Sequence, residues 1–268
     1  MYRVQKQFVE GASEWMKMET TPFMDEDDRT HDLSKKQKYI DSSDTNWTVF
    51  YVVFIATEVV GALCIILVVV LVTQYMGGFA WDGSKQMFNY HPVFMVTGMV
   101  VLYGNSAMVY RIFRRQNKIS VKLLHAALHL GALIFAVVGL YAVFKFHITA
   151  GYRNMYSIHS WFGMGAVVLF CCQYLFGFLG FLYPKFVENQ RGYYLKTHVY
   201  FGGVILALAI VACASGITEQ MLFKFKDVYS KKSSVGIIAN SLGVCIALYA
   251  MLVGFILYNT SYKRSSKN

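Results

Sequence analysis

Charged residues are scarce in this chain. They make up 15% of its 268 residues, against roughly a quarter in a soluble domain, so most of the surface is not built for water. The five cysteines, Cys64, Cys171, Cys172, Cys213 and Cys245, all fall inside apolar runs, and no metal-type C-x-x-C occurs. That leaves no thiol to staple an extracellular loop; buried, inert thiols are the expectation. The first 47 residues hold no apolar stretch of signal-peptide length, so the first span is expected to stay uncleaved. The apolar runs do not alternate, which argues against a transmembrane barrel. No internal repeat is visible.

What the chain does have is length in its apolar runs. Six of them, about 48–73, 92–110, 123–143, 158–182, 197–217 and 234–258, approach or exceed the roughly 20 residues that cross a bilayer as a helix. Lipid leaves the backbone of an open strand unsatisfied, so the spans are expected to be helices. The expected fold is an all-α membrane protein in the lipid bilayer. Its divisions are a polar tail over 1–47, a six-helix domain over 48–260 and a C-terminal tail over 261–268. The first tail, with "DEDDRTHD" and "SKKQK", is expected to be disordered; a linear sorting signal in its acidic cluster is the alternative. Glu58 is the clearest charge inside a span.

Lys and Arg in the short loops set orientation. The loops after spans two and four and the C-terminus hold Arg111, Arg114, Arg115, Lys118, Lys122, Lys185, Arg191, Lys196, Lys263, Arg264 and Lys267. The opposite side has seven: Lys85, Lys145, Arg153, Lys224, Lys226, Lys231 and Lys232. Lys35, Lys36 and Lys38 reinforce the first group. Both termini are therefore expected in the cytosol, and the net charge of +10 speaks of membrane topology rather than of a nucleic-acid partner.

Six of the seven histidines lie at or inside helix ends. His91 opens span two, His125 and His129 lie early in span three, His147 follows it, His159 opens span four and His198 opens span five. Because span directions alternate, His91 and His159 fall near the non-cytosolic face, and His125 and His198 near the cytosolic face. A lone intramembrane histidine is usually a hydrogen bond between helices, although ionisable residues there tend to mark function. Two matched pairs on four consecutive helices suit an iron held by one imidazole from each of two facing helices, as helix bundles build their cofactor sites. Zinc is the rival, but it usually takes three or four ligands, and no carboxylates or thiols stand near. Gly98, Gly104, Gly131, Gly139, Gly163, Gly165, Gly202 and Gly203 could make room for a flat macrocycle; they serve ordinary small-residue helix packing equally well.

The segments "FNYHPVFMVTGMVVLYGNSAMVYRIFR", "KLLHAALH", "MYSIHSWFGM" and "THVYFGG" resemble the cytochrome b561 family, and the similarity runs from about residue 48 to the C-terminus. The resemblance implies two b-type hemes in a central four-helix bundle of spans two to five, a homodimer, and cytosolic ascorbate as electron donor. It implies heme ligation by His91 with His159 and by His125 with His198. His129, one turn beyond His125, is expected to lie beside the inner heme and tune it; that it replaces His125 as ligand is the alternative. At the cytosolic face Lys118, Lys122, Arg191 and Arg111 match or adjoin the family's basic ascorbate site. The alternative is that they anchor the membrane edge, which is the expectation for Arg114 and Arg115. At the other face His147 and Tyr156 match the second substrate site, with Phe144 and Asn154 nearby, and Asn89 is a further lining candidate. A neutral imidazole and a phenol there can exchange protons, so Lys122, Arg191, His147 and Tyr156 are the candidate catalytic residues. Lys145 departs from the acidic residue common in chromaffin-granule-like members, and a cationic rim would favour an anionic radical or chelate over bare ferric ion.

The implied activity is one-electron transfer across the membrane of a secretory or endolysosomal vesicle, or across the plasma membrane. The expected acceptor is monodehydroascorbate, with a ferric chelate as the alternative. A heme-free transporter or receptor is the rival of another class, although such proteins tend to show broken helices and inverted repeats near the midplane.

Overall fold

Each of the six apolar runs is helical, and several of the helices outrun the lipid-length segments that mark them. A computed structural model describes residues 47–264 and, in the preceding segment, Asp27, Thr30, His31, Leu33 and Ser34. The chain divides into two units, Met1–Asn46 and Trp47–Asn268. The expectation of disorder over the first tail lies almost wholly outside the described residues, as do residues 265–268. In the second unit six helices are long and apolar enough to cross a membrane: α1 (Trp47–Tyr75), α2 (Lys85–Ile112), α3 (Lys118–Ala150), α4 (Ile158–Phe181), α5 (Glu188–Lys224) and α6 (Ser234–Tyr258).

Hydropathy reports only the part of a helix that meets lipid. At about 1.5 Å per residue, the 37 residues of α5 reach well beyond a hydrocarbon core of roughly 30 Å. The 33 residues of α3 do the same. The overhanging turns satisfy their own backbones and are closed by local chemistry. The Asn117 side chain accepts from the Ile119 amide at the start of α3. Gly151, at φ 69°, closes its end in the left-handed conformation that a residue without Cβ adopts freely. Ser157 caps α4 by accepting from the Ser160 amide. The polar residues flanking spans three and five thus ride on rigid helical posts.

α2 pairs with α3, and α4 packs closely along α5, while α6 packs on α1 and also meets α5 and α2. Spans two to five form the core expected for them, with the α1/α6 pair beside it. Tyr249 of α6, fully buried, fixes that pair in place: its hydroxyl donates to the Val101 carbonyl. Its ring fills the space left by Gly104, where an added Cβ would fall 2.6 Å from the hydroxyl. Between Val96 and Leu102 α2 widens into a π-helical segment, which rotates the residues after it relative to those before. Thr260–Tyr262 forms a 3-10 turn, and Tyr262, 3% exposed, packs on Trp47 and Phe50.

Candidate heme and substrate sites

His91, in the first turns of α2, and His159, the second residue of α4, face each other with ring centres 6.0 Å apart and planes at 85°. His159 Nδ1 donates to the Ala212 carbonyl at 2.8 Å, which leaves Nε2 bare for a metal. His91 Nδ1 is buried and lies against the Gly139 carbonyl without a full hydrogen bond. At the other end of the bundle His125 of α3 and His198 of α5 stand 6.3 Å apart at 63°. His125 Nδ1 donates to the Ser106 carbonyl at 2.8 Å, and Ser106 Oγ returns a hydrogen bond to the His125 carbonyl. The Gln173 amide donates to the His198 carbonyl.

An iron between two imidazoles, at metal–nitrogen distances of about 2 Å with each ring centre about 1 Å behind its nitrogen, puts ring centres roughly 6 Å apart. Both pairs fit that spacing. His129 does not fit it toward His125: their centres are 4.5 Å apart at 88°, an edge-to-face contact. His129 also touches Tyr103 and Phe170 and keeps its Nδ1 buried without a partner. Among the described residues no group of three or more His, Cys, Asp or Glu is placed to hold a metal ion, so the zinc alternative lacks its ligands.

Two glycines that the sequence did not single out make room for the imidazoles. A Cβ on Gly216 would sit 2.6 Å from His159 Nδ1 and Cε1, and one on Gly177 3.0 Å from His198 Cε1. Each histidine of the α4/α5 pair is thus received by a glycine on the opposite helix. Of the glycines expected to seat a macrocycle, Gly98, Gly104 and Gly139 are filled instead by Phe135, by Tyr249 and by Phe94 with Met95. Gly163 does open onto a cavity.

That cavity, about 970 Å³, joins the His91/His159 pair to Phe144, His147, Asn154 and Tyr156. It is at the upper end of the roughly 300–1,000 Å³ of cofactor and ligand sites. Met95, Met99 and Leu140 line its depth. Asn89 lines it too, donating to the Met76 and Gly78 carbonyls. His147 belongs to the last turn of α3 rather than to a loop, and its Nδ1 donates to Asn154 Oδ1 at 2.9 Å. Tyr156 donates to Glu219 Oε1 at 3.4 Å. Its phenol is pushed up by partial desolvation and by the Glu219 carboxylate beside it, so it remains a donor at neutral pH. Glu219 was not anticipated, because it lies beyond the apolar stretch of span five, on the overhang of α5. Lys145 is exposed and is not among the residues lining the cavity; Lys85, Arg153 and Lys224 are.

Toward the His125/His198 end of the bundle Lys122 Nζ donates to the Phe181 carbonyl at 3.2 Å and lies within electrostatic range of Lys118, Lys185 and Arg191. Arg191 has a loose contact of 3.8 Å with Glu188 on its own helix, of the exposed kind that contributes little. Arg111, a candidate for the same basic site, has other partners in the structure. It is 9% exposed, and its two terminal nitrogens donate to the Leu257 and Asn259 carbonyls. It clamps the end of α6, whose last carbonyls have no partner within the helix. Arg114 lies 3.5 Å over the Trp47 ring. Tyr110, its ring 5.3 Å from His125, feels the charge of Arg264, a further basic residue near the His125/His198 pair.

The sequence model of eukaryotic cytochrome b561 matches residues 90–224. The chain is 45% identical over 223 residues to the lysosomal membrane ascorbate-dependent ferrireductase of Danio rerio, a match covering 80% of this chain and 90% of that one. It is 43% identical over 220 residues to the protein of that name in Homo sapiens, covering 80% and 91%. It is 38% identical over 218 residues to the transmembrane ascorbate-dependent reductase of Pongo abelii, covering 81% and 86%.

Proposed function

The chain belongs to the cytochrome b561 family, a family of heme b proteins, and from that premise we propose that it moves single electrons from cytosolic ascorbate to an acceptor on the other side of its membrane. In this reading His91 with His159 and His125 with His198 each hold one heme b. The observation that carries it is the spacing of the two imidazole pairs, 6.0 and 6.3 Å, toward opposite ends of one helical bundle. When bound, each heme would be held by one of these imidazole pairs and would supply a one-electron station.

The residues around them do the binding and orienting. Lys118, Lys122 and Arg191 draw the ascorbate monoanion to the inner face, where the two long helices present them as fixed posts. Ascorbate gives up one electron and one proton there, and the proton leaves to cytosolic water. The Nδ1 hydrogen bonds of His125 to Ser106 and of His159 to Ala212 fix ring orientation and raise imidazole basicity. At the outer face the cavity places an acceptor beside His91 and His159, against His147, Asn154 and Tyr156.

Two relatives at 45% and 43% identity are named ferrireductases, which favours a ferric acceptor; it gains one electron and needs no proton. Monodehydroascorbate is the second reading. It takes one electron and one proton, and the Tyr156–Glu219 pair supplies a proton donor at the right place. The lysosomal naming of those relatives favours an endolysosomal membrane, with both termini in the cytosol. A homodimer belongs to the same reading, through the exposed apolar stripe Val52, Ile55, Val59 and Ile66 of α1. The test uses ascorbate-loaded proteoliposomes given an external, impermeant ferric chelate or a source of ascorbyl radical. Electron delivery to either acceptor supports the reading, and the faster one names the substrate. Delivery no faster than from protein-free liposomes would refute it.

A further inference from the structure

Glu58 lies well inside the apolar stretch of α1, and neither substrate site uses it. An ionisable side chain within a span is costly and tends to mark function. Glu58 Oε1 is buried and has no hydrogen-bond partner. The Asn105 side chain beside it spends its amide hydrogens elsewhere, on the Val101 carbonyl at 3.2 Å and the Tyr249 hydroxyl at 3.5 Å. Among the described residues no cation lies against Glu58 to neutralise a carboxylate. Arg111, further along α2, is held by the Leu257 and Asn259 carbonyls. The titratable groups packed around the cluster are Cys64 of α1 and Tyr249 and Cys245 of α6, with Cys213 of α5 near Cys64; ordinary thiols and phenols are uncharged at neutral pH. A lock between helices does not need a carboxyl here. Tyr249 already holds α6 to α2 through the Val101 carbonyl and packs its ring against Gly61 of α1. The cluster stands apart from both imidazole pairs, yet one peptide bond joins it to a partner of His125. Asn105 precedes Ser106, whose carbonyl accepts from His125 Nδ1 at 2.8 Å and whose hydroxyl donates to the His125 carbonyl.

Resting on the two-heme reading above, we propose that Glu58 is a proton-binding site linked to the electron held at the His125/His198 pair: it takes up a proton when an electron arrives there and releases it when the electron leaves. Glu58 is a positioning residue, since it touches neither imidazole pair. The balance is one electron from ascorbate to the iron and one proton from water to the Glu58 carboxylate, which becomes a carboxylic acid. No other bond forms or breaks, and both changes reverse when the electron moves on. The cause is electrostatic. Inside a span of low dielectric an added electron and a carboxylate repel, and a proton on the carboxylate removes that repulsion. At an effective dielectric of about 20, unit charges about 12 Å apart shift an equilibrium roughly tenfold. The sign follows from the same repulsion. Reduction raises the proton affinity of Glu58, so acid favours the reduced state at the His125/His198 pair and alkali favours the oxidised one. The His91/His159 pair, at the other end of the bundle, should feel Glu58 far less.

The test uses the purified full-length holoprotein as wild type, Glu58→Gln and Glu58→Asp. Midpoint potentials of both hemes are followed against pH by optical titration with dithionite and ferricyanide, so no step depends on ascorbate. In the wild type the potential of the His125/His198 heme should fall as pH rises. At a fixed applied potential its reduced-to-oxidised ratio should change several-fold per pH unit where Glu58 titrates, with about tenfold as the limit for one linked proton. Glu58→Gln, neutral at every pH, should hold that heme near its acid-limit potential and flatten the dependence. Glu58→Asp should restore part of it. The other heme should keep one pH profile in all three proteins. A second readout needs no electron flow: infrared difference spectra of the oxidised protein between acid and alkaline pH should show a carboxylic acid carbonyl band that Glu58→Gln lacks. Heme content and melting temperature check folding; if Glu58→Gln does not fold, Glu58→Asp must move both the pH window and the band. An unchanged pH slope in folded Glu58→Gln, an equal change at both hemes, or no band belonging to Glu58 would overturn the proposal. Failure of ascorbate to reduce the protein would instead count against the electron path, and the dithionite titration and infrared spectra would still decide this one.

Discussion

Replacing Gly216 with alanine should weaken the outer heme site selectively. The new Cβ would lie 2.6 Å from His159 Nδ1 and Cε1, about 0.8 Å short of ordinary contact, which begins at 3.4 Å. His159 cannot swing away freely, because its Nδ1 is bonded to the Ala212 carbonyl on the same helix as Gly216. Relief needs either a shift of the imidazole by nearly half a metal–nitrogen bond of about 2 Å or a local separation of α4 from α5. Overpacking of this kind costs about 1–3 kcal/mol, or roughly 5- to 150-fold in heme affinity at that site. Gly177→Ala, with its nearest approach 3.0 Å to His198, should give a smaller effect and at the inner site. Gly254→Ala, on α6 with nothing within 4 Å, should be silent. The assay is heme content per polypeptide with the low-spin electron paramagnetic resonance signals of the two hemes. A Gly216→Ala protein with full heme content and both signals unchanged would refute the placement of His159 against α5.

Other substitutions separate residues that look alike in sequence. Lys122→Ala and Arg191→Ala should each raise the ascorbate KM several-fold, and the wild-type KM should rise with salt, as for surface charges acting over a Debye length of about 8 Å; steady-state kinetics at two ionic strengths would show it. Arg111→Met removes charged hydrogen bonds to two α6 carbonyls and should cost about 1.5–3 kcal/mol per bond in stability. It should lower the melting temperature while leaving the ascorbate KM nearly unchanged, and a large KM effect in folded protein would restore Arg111 to the substrate site. His129→Phe should keep both hemes and shift the midpoint potential of the inner one in redox titration; loss of that heme would make His129 a ligand.

The transmembrane frame was legible because few charges interrupt the apolar runs, and the two histidine pairs because alternating span direction assigns depth. Helix ends were not legible. Apolarity stops where lipid stops, but a helix continues wherever caps such as Asn117 and Gly151 let it. For that reason His147 was read as following span three, and Glu219 was passed over. The glycines that matter could not be chosen from sequence either. Gly216 and Gly177 differ from Gly98 and Gly104 only in what the neighbouring helix brings opposite them, which depends on interhelical register. Arg111 and Arg191 lie on the same side of the membrane and carry the same charge; only the position of α6 shows that one is a clamp. Glu58, the charge that stood out in span one, has a buried Oε1 beside the Asn105 and Tyr249 polar contacts between α1, α2 and α6, a cluster apart from both histidine pairs.

The most direct measurement is the number of hemes per chain in purified protein, taken as the pyridine hemochrome for wild type and for His159→Ala and His198→Ala. Two hemes in the wild type and one in each variant, with a different heme lost each time, is the expected result. A single heme in the wild type, or either variant retaining both, would contradict the assignment of one iron to each imidazole pair.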